Sequence, residues 1–172
     1  ITTTFANYFA DAGASDGYEA PEEDTGNSVY VVSSESDFTD LSVVKSASEV
    51  DKPQADYVIT ESAEIYASED VALTGEGNQP YVVQINADDV TFSGFSVDPS
   101  DSQGAIKVYR TGNDNNPSGA VISHNDFTGS YDSDGSNNAV WIQNTEGAEV
   151  SNNTFSNWDS GVYVSGADSE TK

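Results

Sequence analysis

Residues 122–127, ISHNDF, and residues 150–155, VSNNTF, write nearly the same phrase twice, 28 positions apart. The shared positions are an aliphatic (Ile122, Val150), a serine (Ser123, Ser151), an asparagine (Asn125, Asn153) and a phenylalanine (Phe127, Phe155). Large apolar and polar residues alternate, which is the period of a strand and not of a helix. Recurrence at an interval of this size points to stacked supersecondary units.

Working outward from this pair, the chain from Asp56 onward breaks into short β-branched and aromatic runs separated by Gly, Asn, Asp and Ser. Three columns of core residues follow. The first holds Leu73, Phe92, Ile122 and Val150; the second Val97, Phe127 and Phe155; the third Val83, Ile106, Val140 and Val162. No helical stretch separates the runs, which disfavours a βαβ architecture. Three short strands per turn predict an all-β fold, a right-handed parallel β-helix of about four to five coils. Asn125 and Asn153 would stack at one bend, bonded through their amides, with Phe127 and Phe155 stacked just inside. The alternative is a β-sandwich or jelly roll, in which the repeats are hairpins.

Three segments result. Residues 1–28 read as a docking segment and acidic linker, residues 29–55 as a cap that admits a short helix, and residues 56–172 as the repeat domain. ADDVTFSGFSVD (87–98) and AEVSNNTFSNWDSGVYV (148–164) resemble the parallel β-helix repeat family, the pectin-lyase-like superfold, over residues 56–166. The resemblance implies a fold more than a function, since that fold serves lyases, hydrolases, adhesins and viral tailspikes.

Composition narrows the functions. Five Lys plus Arg stand against thirty Asp plus Glu, a net charge of −25 on 172 residues. That balance argues against nucleic acid, which needs basic side chains to neutralise phosphate, and against anionic membranes. No apolar run approaches the ~20 residues of a membrane-spanning helix. Absence of cysteine rules out disulfides and thiolate metal sites. Such acidity suits either disorder or molar salt, where the Debye length falls to about 3 Å and self-repulsion is screened. The aromatics, Val and Ile favour the second, and the composition resembles that of proteins from extremely halophilic archaea or their viruses. A chain opening on Ile1 reads as trimmed, which suggests export or assembly processing.

Catalysis finds little support. The basic residues are Lys45, Lys52, Lys107, Arg110 and Lys172, and no lyase motif surrounds Lys107 and Arg110 in AIKVYR. Hydrolases need two carboxylates straddling the bond, and no two strands present them in matching columns. His124 beside Asp126 sits at a bend and reads as a corner histidine. Asp132, Asp134 and Asn137 offer alternating oxygen ligands in a Gly turn, which makes Ca²⁺ the one candidate cofactor, although the bidentate Glu of a calcium loop is missing. Alternation in the third column sends Lys107, Trp141 and Tyr163 outward, with Gln84 before them. This ladder would bind a glycan by stacking, or a protein partner. Asn152, in NNT, fits the N-glycosylation pattern.

The expectation is a non-enzymatic structural or adhesive surface protein of a halophilic system: a virion spike, turret or fibre, or a cell-surface adhesin or layer component. It would be extracellular and work in a larger assembly with other structural subunits or copies of itself. GVYVSG (161–166) is a full strand with only ADSETK after it, so that end should meet something. Alternatives are a secreted polysaccharide lyase or hydrolase fragment and a carbohydrate-binding module.

The charge generates the first prediction. Diluting salt from ~3 M to ~0.05 M restores long-range repulsion. Circular dichroism should then show loss of strand signal, whereas an unchanged spectrum and melting point would refute adaptation to salt.

Overall fold

A computed structural model describes residues 26–110, 117–130 and 137–166. The short β-branched runs become strands: β1 (Ser28–Val32), β2 (Val44–Ser46), β3 (Ala55–Ile59), β4 (Ala63–Thr74), β5 (Tyr81–Ile85), β6 (Thr91–Asp98), β7 (Gly104–Val108), β8 (Val121–Ser123), β9 (Asp126–Thr128), β10 (Asn138–Gln143), β11 (Glu149–Ser151), β12 (Thr154–Ser156) and β13 (Ser160–Ser165). A short α-helix, α1 (Glu35–Thr39), and a 3-10 turn (Ala47–Glu49) interrupt them early.

The molecule is mostly β, but it is not the single β-helical solenoid that the repeats predict. Its strands sort into two sheets in a sandwich-like arrangement. One sheet runs β1-β4-β6-β8-β11 with β9 and β12 alongside, and the other runs β13-β10-β7-β5-β3-β2. The first and second columns explain the difference. Phe92 and Val97 lie in the same strand, β6, so the two columns form one continuous sheet and leave no third face. β4 makes the same passage through an irregularity between Tyr66 and Val71, which pairs Leu73 with Val97 and Ile65 with Phe92. Leu73 therefore belongs to the second column and not the first.

The repeats are not hairpins either. Each is paired in parallel with the next, Ile122 beside Val150 and Phe127 beside Phe155, and β2 with β3 is the one antiparallel neighbour pair among the described residues. Parallel strands are buried on both faces and read as continuous apolar runs, which suits the wholly buried β5 and β7.

Asparagine fastens the bend after the first column. The residues following the aligned serines, Gly94, His124 and Asn152, have φ of 88°, 57° and 54°. This left-handed turn leaves a backbone N–H and a carbonyl to be taken up by the asparagine of the following repeat. Asn125 Oδ1 accepts from Phe95 N at 3.0 Å, and Asn125 Nδ2 donates to Phe92 O at 3.2 Å. Asn153 repeats the motif, accepting from Asn125 N at 2.9 Å and donating to Ile122 O at 2.8 Å. The amides join through Asn125 Nδ2 to Asn153 Oδ1, 3.0 Å.

One end of the core is closed by α1. Ser34 caps it by accepting from Asp37 N at 3.1 Å. Its single buried residue, Phe38, meets Tyr57, Phe92 and Phe95 edge-on with ring centroids 5.6–6.1 Å apart.

Two tests follow from this packing. Asn125→Ala strands buried backbone groups and should cost ~1–3 kcal/mol in urea unfolding at molar salt. Phe127→Ala should cost ~3–5 kcal/mol. Its stacked partner Phe155 is 38% exposed against 0% for Phe127, so Phe155→Ala should cost clearly less. Equal costs for the two phenylalanines would contradict the assigned core.

Candidate functional site

On the outer face of the second sheet, Gln84, Lys107, Trp141 and Tyr163 stand in register across β5, β7, β10 and β13. They divide into a sealed half and an open half. Gln84 and Lys107 are buried, because Gln54 and Tyr109 lie over them. Gln84 Oε1 accepts from Gln54 N at 2.9 Å, and its Nε2 donates to Tyr109 O at 2.8 Å. Lys107 Nζ sits 4.2 Å from the Trp141 ring centre, 4.8 Å from Tyr109 and 5.7 Å from Tyr81, with Gln54 Oε1 at 3.5 Å. Ring faces attract the ammonium, while burial pulls its pKa below the usual lysine value.

The open half is a cleft of about 470 Å³ lined by Tyr81, Gln103, Asn138, Trp141, Asp159, Ser160 and Tyr163. Trp141 is its floor, fixed by Nε1–H donation to Ser165 Oγ at 2.8 Å. Tyr163 stands edge-on to it at 5.7 Å, and Tyr81 is tilted against it at 6.2 Å. Tyr81 reaches the site only because its register partner is Gly104. A β-carbon there would lie 2.3 Å from Tyr81 Cε1 and 2.5 Å from Asn138 O. The glycine leaves room for a ring.

Sequence reasoning missed Tyr81, Gln103, Asn138, Asp159 and Ser160. The available signal was Gly104 aligned beside an aromatic in YVVQI and GAIKV. Asp159 accepts from Asn137 N through Oδ2 at 3.1 Å, which holds its carboxylate at the rim.

Other candidates fall elsewhere. Asn137 is half-buried, while Asp132 and Asp134 lie outside the described residues. Among the described residues no group of three acidic or histidine side chains could hold a metal ion. His124 is a half-buried corner residue, and Asp126 accepts from Thr154 Oγ1 at 2.6 Å. Arg110 is drawn from Lys107 to Asp88, 2.9 Å away, and to Asn86 O. Asn152 is exposed at its turn. No helix among the described residues is long and apolar enough to cross a membrane.

Compared with protein families, curated proteins and solved structures, the chain has no match.

The Tyr81 phenol gives a pH signature. Burial pushes its pKa up to about 12, against the opposing hydrogen bond from Asn138, while an unfolded tyrosine titrates near ~10. The folded chain thus keeps a proton that the unfolded chain gives up. Its contribution to stability is complete below pH ~10 and is lost as pH rises toward 12. Tyr57, also raised to about 12 by burial first and acidic neighbours second, adds to the same decline. Denaturation across pH 9–12 should show a shallower loss in Tyr81→Phe than in the wild type, and parallel curves would disprove the assignment.

Proposed function

We propose that the chain is a non-enzymatic adhesive surface protein of a high-salt environment, extracellular on a virion or cell, that holds a neutral glycan in the Tyr81–Trp141–Tyr163 cleft. The observation that carries this reading is the Trp141 floor flanked by the exposed Tyr163 ring and the edge of the buried Tyr81, with the amides of Gln103 and Asn138 and the hydroxyl of Ser160 beside them. Sugar rings offer flat C–H faces to aromatics and a fringe of hydroxyls to amides and carboxylates.

Charge selects the sugar. Asp159 stands in the cleft of a chain of net charge −25, so uronates and sulfated glycans are repelled. Lys107, which could neutralise them, is sealed beneath Trp141. A glycoside hydrolase needs a second carboxylate ~5–9.5 Å from the first, and among the described residues Asp159 is the one carboxylate lining the cleft.

The test is tryptophan fluorescence in molar salt with neutral gluco-, manno- and galacto-oligosaccharides. Saturable quenching is expected from at least one series. Tyr163→Ala, at a ring 45% exposed, should weaken it about tenfold, equivalent to ~1.4 kcal/mol, without altering the circular dichroism. No saturation by any series would overturn the reading, and release of reducing ends or unsaturated products would replace it with an enzyme.

A further inference from the structure

Lys107 carries a buried charge that faces rings rather than a carboxylate. Its side chain is 5% exposed, and no carboxylate among the described residues pairs with it. Trp141, Tyr109 and Tyr81 surround its Nζ at 4.2, 4.8 and 5.7 Å, and Gln54 Oε1 at 3.5 Å is its polar contact. Burying an ammonium without an anion is costly, and a methionine would fill the same space without that cost. Packing alone therefore gives no reason for the charge.

A reason lies on the far side of the indole. Lys107, Trp141 and Tyr163 stand in register on the adjacent strands β7, β10 and β13, so the lysine and the tyrosine flank the ring between them. The cleft opens on the Tyr163 side, and Lys107 takes no part in its lining. That side has what draws cations: the Trp141 and Tyr163 rings with the Asp159 carboxylate, on a chain of net charge −25. Aromatic rings grouped in this way take quaternary ammonium ligands.

Here, however, the indole already carries a cation. A second one seated as closely on the other face would stand ~8 Å from Nζ. At an effective dielectric constant of about 20, repulsion over that distance is on the order of the ring's own attraction. Salt screens such a pair poorly, because one of its charges is buried. Attraction and repulsion then cancel, and a cation gains nothing by entering. A neutral sugar face meets no such penalty.

We propose that Lys107 is the specificity residue of the cleft: its ammonium, caged behind the Trp141 floor, turns cationic ligands away and leaves the open face to neutral ones. Asp159 repels anions from the other direction, so two charges of opposite sign narrow the site, each acting against one class of competitor. The role deepens the neutral-glycan reading, on which its use rests, while the exclusion of cations is measurable by itself.

The probe is tetramethylammonium chloride, exchanged for part of the sodium chloride in ~3 M salt at constant ionic strength. The readout is the indole Nε1–H resonance of Trp141. Trp158, whose Nε1–H donates to Phe127 O at 2.9 Å, is the internal control. In the wild type neither resonance should move. In Lys107→Met, with circular dichroism unchanged, the Trp141 resonance alone should shift and saturate, at an affinity at least tenfold above any in the wild type. Lys107→Arg, whose charge cannot be titrated away, should behave as the wild type. Equal binding by wild type and Lys107→Met, no binding by folded Lys107→Met, or binding by Lys107→Arg as tight as by Lys107→Met would overturn the proposal.

Should Lys107→Met fail to fold, titration of the wild type decides. The phenols facing this space are Tyr81, Tyr109 and Tyr163, and Asp159 is the carboxylate. Burial removes the Lys107 charge below the 10.5 of an ordinary lysine, ahead of the Tyr81 phenol at about 12. Probe binding should therefore appear below pH 10.5 in the wild type and stay absent in Lys107→Arg, and parallel curves for the two would refute the role. Neutral oligosaccharides run beside the probe separate the two readings. Quenching by a sugar with no ammonium uptake in Lys107→Met removes the role of Lys107 alone. Ammonium uptake by Lys107→Met with no quenching by any sugar removes the glycan alone.

Discussion

The parallel stacking of like residues on like residues governs this structure. A strand in a parallel sheet must bond a neighbour on each side, and its side chains must match those above and below. The Asn125–Asn153 contact is where this requirement is most exacting. A left-handed residue at the bend frees a backbone N–H and a carbonyl, and the asparagine amide of the following repeat offers the complementary acceptor and donor. Asparagine supplies both groups at that reach, whereas aspartate supplies only acceptors when ionised. Phe127 over Phe155 then fills the space inside the turn at a centroid distance of 5.3 Å.

The same constraint builds the cleft. In-register strands carry their outward residues as a ladder, so Lys107, Trp141 and Tyr163 cannot avoid being neighbours. Their fates then differ by position along the sheet. Lys107 lies deeper in the stack, where Gln54 and Tyr109 cover it, and its ammonium supports Trp141 from behind. Tyr163 stands on β13, where no later strand among the described residues screens it. The cleft therefore lies toward one end of the second sheet, on β10 and the last of the described strands.

The repeat register was legible because its signal is local: identical residue types recur where side chains touch. The number of sheets was not. Whether two columns lie on separate sheets or one depends on how sharply the chain turns between Phe92 and Val97, and Gly94 permits either outcome. Leu73 was misplaced for a related reason, since an irregularity within β4 shifts register without leaving any mark in an apolar pattern. Gln84 and Lys107 looked outward by alternation, which is correct for the backbone, but alternation carries no information about the Pro53–Gln54 segment that covers them. Tyr81 was overlooked because the feature that admits its ring is a missing side chain at Gly104, and absence is hard to read from one sequence.

The distribution of charge ties these features together. Thirty carboxylates on a chain of this length repel one another everywhere except where the surface omits them, and repulsion of that kind discourages unspecific association. Glu149 is the one charged residue in β11, β12 and β13, so the carboxylates are unevenly spread over the described strands. Serine and threonine suit the polar positions of such an edge, since each hydroxyl donates and accepts and carries no charge. Ser156, Ser160 and Ser165 occupy those positions beside the exposed Val162 and Val164. An acidic residue at any of them would set a carboxylate beside the exposed Val162 and Val164.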